Sequence, residues 1–245
     1  ELGRFGLPAS SKANALVRSN QGSWTASEAP HRISQKFVEP VLRRLAEAYD
    51  PVTINFGWRM TEFKEGASGV SAIFEQSETG VTHNINASYL IGADGARSMV
   101  RKQLGYSLQG EYGEERHFLG GRMYAVYLRC PEFYEVVGKQ PAWMNWTFNK
   151  DRRAFIAAVD GKGEFAFHTQ LSSDEEEATI TDERAADLFR EACGVNIDCE
   201  VLSHMGWTAG HSLVADHFIS DRVIIGGDAA HLFTPTGGLG YNTAV

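Results

Sequence analysis

Apolar and polar residues alternate in short runs through the first third of the chain, over 52–58, 70–75 and 81–86, with Gly66, Ser68, Gly69 and Glu78-Thr79-Gly80 between them. Period two puts successive side chains on opposite faces, so the three runs predict an antiparallel meander. Ahead of them Phe37, Val41, Leu42 and Leu45 recur at helical spacing behind Ser34, a residue type suited to a helix N-cap. Pro40 lies inside that helix and lacks an N–H, which predicts a kink or a later start. Residues 89–92 are more continuously apolar, the pattern of a strand buried on both faces.

The pattern changes over about 108–206. Runs at 117–129, 143–148, 153–159 and 164–170 are strand-like and aromatic-rich, and Trp143, Trp146, Phe148, Phe155, Phe165 and Phe167 predict an aromatic core. Ser172 to Glu177 is acidic and reads as a solvated loop. Thr181 then caps a predicted helix with Asp182 and Glu183 in its first turn, Ala185, Leu188, Phe189 and Ala192 along it, and Gly194 as its stop. A last strand is expected at Val223-Ile224-Ile225.

Composition narrows the class. The chain has 245 residues, enough for one large or two ordinary domains, and a net charge of −8 with no basic stripe, which argues against nucleic acid as a partner. No apolar run approaches the roughly 20 residues that span a bilayer. Cys130, Cys193 and Cys199 show no CxxC spacing, which favours free thiols and a cytoplasmic setting. His204, His211, His217 and His231 make neither HExxH nor a short zinc spacing, so no metal site is expected. Gly66-Ala67-Ser68-Gly69 is one residue short of a nucleophile elbow.

Two motifs carry the chemistry. Ile91-Gly92-Ala93-Asp94-Gly95-Ala96-Arg97-Ser98 and Arg222-Val223-Ile224-Ile225-Gly226-Gly227-Asp228-Ala229-Ala230-His231 are each an apolar strand running into glycine and aspartate. An open α/β sheet places its ligand at such strand ends. Arg97 and Arg101, at i and i+4, suit a phosphate or an exposed basic helix face. Gly237, Gly238 and Gly240 permit close backbone approach to a planar ring. Asp228, ending a buried strand, needs hydrogen bonds there, from a ligand or from the following turn.

Together the motifs resemble the two internal signatures of the FAD-dependent aromatic hydroxylases, the flavoprotein monooxygenase family of para-hydroxybenzoate hydroxylase. The resemblance implies an α/β (α+β) fold: an FAD/NAD(P)-binding Rossmann-like domain, incomplete here, in segments 1–107 and 207–245, with an inserted, mainly antiparallel β-sheet substrate domain over 108–206. It implies FAD as cofactor, NADPH or NADH as transient co-substrate, and O₂ addition to a flavin hydroperoxide that hydroxylates a phenolic or other aromatic ring, with a homodimer as the assembly to test. It assigns Asp228 to the ribityl hydroxyls, and Gly237, Gly238, Leu239, Gly240, Tyr241 and Asn242 to the flavin, with N–H groups of Tyr241 and Asn242 facing the pyrimidine edge. Tyr241 departs from the apolar residue usual there.

Further, the resemblance sets Asp94, Gly95, Arg97 and Arg101 near the FAD pyrophosphate and NAD(P)H, Gln35 against FAD, and Pro235 and Thr236 between flavin and substrate. The family's N-terminal glycine-rich phosphate loop has no match before Asp94. Gly161-Lys162-Gly163-Glu164-Phe165-Ala166 fits its loose pattern but lies between two strand-like runs and reads as a hairpin turn. An internal fragment of a longer enzyme is expected, with the residues after Gly240 poorly ordered unless something packs on them. A non-catalytic truncated module without FAD, or a halogenase or reductase on the same fold, are the alternatives.

Overall fold

The computed structural model describes residues 2–6, 10–19, 32–113, 121–234 and 238–244, in two units, Glu1–Thr53 and Ile54–Val245. The first unit holds α1 (Ser10–Ser19) and α2 (Gln35–Glu47). α2 begins directly after Ser34, whose carbonyl accepts from the Phe37 and Val38 N–H groups at 3.0 and 3.3 Å. Pro40 does not delay that start: its missing N–H removes one bond from a helix already nucleated behind it. The apolar residues Phe37, Val41, Leu42 and Leu45 are exposed.

The second unit opens with an antiparallel meander, β1 (Trp58–Gly66), β2 (Gly69–Gln76) and β3 (Thr82–Ala87). The meander was expected, but its first strand lies later than the 52–58 pattern predicts. The Ala67-Ser68 turn sets Gly66 opposite Gly69, and the ladder runs back to Trp58 opposite Gln76, where β2 ends. No β2 residue remains to pair with 52–57.

Next come β4 (Leu90–Gly92), α3 (Met99–Gln103), β5 (Leu108–Glu111), β6 (Gly121–Arg129), α4 (Phe133–Val136), β7 (Met144–Phe148), β8 (Arg153–Ala158), β9 (Glu164–Gln170) and α5 (Asp182–Cys193). β10 (Glu200–Ala209), β11 (Ser212–Ala215), β12 (Val223–Ile225), β13 (His231–Leu232) and α6 (Leu239–Ala244) complete the unit. Strands β6 to β10 form one antiparallel sheet in the order β10-β6-β9-β8-β7. β5 pairs instead with β11, which also pairs with β13. The predicted start of β6 at 117–120 lies outside the described residues.

Alternation along the large sheet sends Val126, Leu128, Ile156, Phe165 and Phe167 to one face, where they bury against Leu188 and Phe189 of α5. Each fully buried side chain of this size contributes roughly 1.5–3 kcal/mol. α5 has the expected ends: Thr181 Oγ accepts from the Arg184 N–H at 3.3 Å, and Gly194 takes φ +70. The aromatic core is only half as expected. Trp146 and Phe148 are 46% and 54% exposed, because their register on β7 turns them to the face opposite α5.

The Gly161-Lys162-Gly163 turn joins β8 to β9 as a hairpin. Asp160 Oδ1 accepts from the N–H groups of Lys162 and Glu164 at 2.8 and 2.9 Å, and a Cβ on Gly163 would lie 2.7 Å from Pro131 Cα. These glycines serve a tight turn and a close approach. The acidic run 172–177 is not simply solvated. Glu175 accepts from Arg152 at 2.7 Å, Arg184 at 2.9 Å, and both the N–H and Oγ of Ser172 at 2.9 Å. Burial alone would raise its pKa; the hydrogen bonds and the Arg152 charge hold it at about 2.

Candidate functional site

The two motifs meet as neighbouring parallel strands. β4 and β12 pair Leu90 with Val223, Ile91 with Ile224 and Gly92 with Ile225, so both strands end at the same edge. The Gly226 N–H extends the ladder to the Gly92 carbonyl at 3.0 Å. Gly92 is required by packing: a Cβ there would lie 2.7 Å from Val100 Cβ, inside the contact that seats α3 on β4. Ile91 is 68% exposed, contrary to a strand buried on both faces, because it points away from the side that α3 covers and nothing among the described residues covers the other.

Asp94 is committed to the start of α3. Its Oδ1 accepts from Ser98 Oγ at 2.6 Å, and its Oδ2 from the N–H groups of Met99 at 2.7 Å and Val100 at 3.1 Å. Burial pushes its pKa up, but these bonds outweigh it and hold the carboxyl below its ordinary range. Ser98 Oγ in turn accepts from the Arg101 N–H at 2.9 Å. Gly95, at φ +80, supplies the left-handed turn between strand and helix.

Arg97 and Arg101 do not form the pair their spacing suggests. α3 starts only at Met99, so Arg97 precedes it and is exposed, while Arg101 is 5% exposed. The Arg101 guanidinium donates to the carbonyls of Ala229 and Ala96, each at 2.8 Å. It therefore joins the first motif to the second, and both bonds point it away from an external phosphate.

Asp228, exposed like Asp94, is held differently. It stands in the short 3-10 turn Gly227–Ala229 after β12, and its side chain is exposed rather than buried at the strand end. Among the described residues its carboxylate has no hydrogen-bond or ion-pair partner, so it does not cap that turn. Gly227 and Gly238 adopt φ +58 and +67.

α6 forms over Leu239–Ala244 and packs against the 227–229 turn, which provides the neighbour the sequence reading required. Within it the Asn242 N–H reaches the Gly238 carbonyl at 3.5 Å and Asn242 Nδ2 reaches it at 2.8 Å. Asn242 is thus turned to its own helix rather than presenting its N–H outward, while Gly240 precedes it and Tyr241 is exposed. Pro235, Thr236 and Gly237 lie outside the described residues. Gln35 is the exposed first residue of α2 in the other unit.

Sequence reasoning missed two features beside the site. Arg222 leads into β12 and ties it to the meander, donating from Nη2 to Ala67 O at 2.9 Å, while its N–H meets Glu65. Its place directly before the strand gave no signal of this. His231 Nδ1 is buried without a partner among the described residues, its ring 4.8 Å from that of Phe233. Among the described residues no cluster of three His, Cys, Asp or Glu side chains is arranged to hold a metal, and no helix is long and apolar enough to cross a membrane. Cys130, Cys193 and Cys199 are free thiols, and burial raises those of Cys130 and Cys193 to about 11 and about 12.

A parallel strand pair with glycine and aspartate at its C-terminal edge, beside an antiparallel sheet, defines an α/β nucleotide-cofactor fold. The chain belongs to the FAD binding domain family, which matches residues 10–245. It is 32% identical over 231 residues to a tetracenomycin A2 monooxygenase-dioxygenase of Streptomyces glaucescens, covering 88% of this chain and 39% of that protein. A solved structure of the rebeccamycin biosynthetic enzyme RebC with reduced flavin is 29% identical, with a TM-score of 0.64 over 76% of this chain and 34% of that one.

Aklavinone-11 hydroxylase, solved with FAD and aklavinone, shares the fold at a TM-score of 0.80 over 96% of this chain and 42% of that one, with 23% identity. The chain spans between 35% and 42% of the length of the curated relatives it matches.

Proposed function

We propose that this chain is the central part of a single-component FAD-dependent hydroxylase of aromatic rings, and that Asp228 is its principal contact to the cofactor. The observation that carries the reading is the strand pairing of β4 with β12, which delivers two aspartates to one edge and, among the described residues, leaves only the Asp228 carboxylate of the two without a partner. An exposed acceptor beside positive-φ glycines fits a polyhydroxyl chain, and the ribityl hydroxyls of FAD are such donors. Asp94 then acts indirectly, by fixing the turn at Gly95 and the start of α3. Arg97 is the exposed cation available to a phosphate, and Gly237, Gly238, Leu239, Gly240 and Tyr241 are the backbone positions proposed to border the flavin. Gln35, Pro235 and Thr236 keep the roles the resemblance implies, against FAD and between flavin and substrate.

Bound FAD would supply the redox chemistry, with electrons drawn from NAD(P)H and the two oxygen atoms of O₂ going one to the ring and one to water. The protein's share is to hold the cofactor, orient the ring and exclude water. The relatives' names support an aromatic, polyketide-like substrate, and the inserted sheet is the element proposed to receive it. A homodimer is the proposed assembly, checked by sedimentation. The decisive experiment uses the chain with its flanking segments. Flavin that copurifies, NAD(P)H consumption stimulated by a phenol, and a hydroxylated product support the reading; stimulation without product overturns it.

A further inference from the structure

The large sheet buries one face against α5; its other face carries a row of rings. The ladder sets Trp146 opposite Phe155 and Phe155 opposite His168. Trp146 and Phe155 lie 5.5 Å apart between centroids, Phe155 and His168 stack at 4.5 Å and 12°, and His168 meets Trp207 edge to face at 5.9 Å and 84°. The β6 residue opposite His168 is Ala125, whose short side chain leaves the space through which Trp207 of β10 reaches the imidazole. Beyond Trp207, β10 leads through Ala209 into β11, whose partner β13 follows Asp228 by three residues.

Among the described residues two polar atoms in this row have no partner: His168 Nδ1 and Trp207 Nε1 are both buried and unbonded. Such a group costs about 1–3 kcal/mol, so its retention in an otherwise apolar row calls for a reason. His168 Nε2 likewise has no hydrogen-bond partner among the described residues. Ring packing alone thus holds the imidazole among the described residues and leaves its nitrogens unmatched. Burial pushes the imidazole down to about 4, so it carries no charge near neutral pH. The guanidinium of Arg129 on the same face is neutralised at the far end of the strands by Glu164 and Glu200, and Arg153 stands opposite Phe148, beyond Phe155.

We infer that His168 is a specificity-determining residue of the substrate site, its Nε2 making one hydrogen bond to a hydroxyl or carbonyl oxygen of an uncharged aromatic substrate lying on the ring row. The inference deepens the hydroxylase reading and rests on it. Side chains stand off a sheet roughly perpendicular to it, so stacked rings present their edges outward. Ring edges carry the positive end of the quadrupole and suit the face of an electron-rich ring such as a phenol. An uncharged imidazole offers no counter-charge to an aromatic carboxylate, which sets the direction of selectivity.

The test measures equilibrium binding of 1-naphthol and 1-naphthoate to the flavin-loaded full chain, its His168→Phe and His168→Gln variants, and follows the His168 ring nitrogens by ¹⁵N NMR. Wild type should prefer 1-naphthol, which should shift the Nε2 resonance. His168→Phe, which keeps the ring row and hence its melting temperature, should bind 1-naphthol about tenfold more weakly and 1-naphthoate unchanged, tenfold being the scale of one hydrogen bond. His168→Gln, whose amide reaches the place of Nε2, should stay within about threefold of wild type.

Equal binding of 1-naphthol by His168→Phe, no preference in wild type, or no 1-naphthol binding at all overturns the inference. The two readings fail separately. A purified full chain that holds no flavin but keeps the naphthol preference sinks the hydroxylase reading, whereas flavin retained with no preference sinks the role of His168.

Discussion

The five-stranded sheet and the β4·β12 pair are opposite kinds of structure in one chain. The sheet is fully packed on the face that α5 covers: Leu128, Ile156, Phe167, Leu188 and Phe189 are fully buried, and Glu175 binds two arginines beside them. The strand pair is short and leaves Ile91 and Asp228 exposed, one an apolar side chain and the other an unpartnered carboxylate. The difference separates stability from function. On the face that α5 covers, the first region's side chains are matched within the protein, while the second is a fixed backbone frame whose Ile91 and Asp228 side chains are not matched among the described residues.

The sharpest way to break that comparison is to empty the sheet's core. Phe189→Ala should cost about 3–5 kcal/mol, read as a shift of the denaturation midpoint with unchanged slope. A cost below about 1 kcal/mol would mean the core is not where stability resides. Arg101→Met should cost less, about 2–3 kcal/mol, because it strands the carbonyls of Ala96 and Ala229 and loosens the junction of the two motifs. That variant should also raise amide exchange in β4 and β12 more than in β6 to β10. Uniform exchange would contradict a local junction.

A smaller effect concerns acid. Glu175 has its folded pKa depressed to about 2 from an ordinary 4.5, so its contribution is present above 4.5 and is lost as pH falls through that window. The loss should be on the order of 1–2 kcal/mol, since its partner Arg184 is partly exposed and screened. Glu175→Gln should remove this acid dependence; an unchanged profile between pH 4.5 and 2 would show that the carboxylate is not the group responsible.

The same contrast explains what could be read from the sequence. Strands β8 and β9 and helix α5 were legible because alternation, the Asp160 turn, the Thr181 cap and the Gly194 stop all agree with the packing they serve. β1 was misplaced because Val52, Ile54, Phe56 and Trp58 alternate as well as any strand, while its true register is set by where β2 ends. β10 went unread although it is the longest strand among the described residues, since its polar and apolar residues do not alternate cleanly across the irregularity between Val201 and Ser203.

At the site, the adjacency of the two motifs, seen in the pairing of β4 with β12, was legible through the family resemblance that their strand ends carry. The division of labour between Asp94 and Asp228 was not. Both follow an apolar strand and a glycine, and only the position of α3 shows that Ser98 and two backbone N–H groups occupy one of them. Arg101 was misread for the same reason: spacing places it on a helix face with Arg97, but the helix begins after Arg97. His168 carried no motif, and its unpartnered nitrogens become visible only when Ala125 and Trp207 are set around it.

The central claim is that Asp228 is held open for the cofactor, and it is tested most directly by the flavin-to-protein ratio of Asp228→Asn in the chain with its flanking segments. An exposed, unpartnered side chain should alter the stability of the flavin-free protein by less than about 0.5 kcal/mol. The account predicts that the variant purifies folded and largely without flavin. A variant that retains flavin at the wild-type ratio would contradict it.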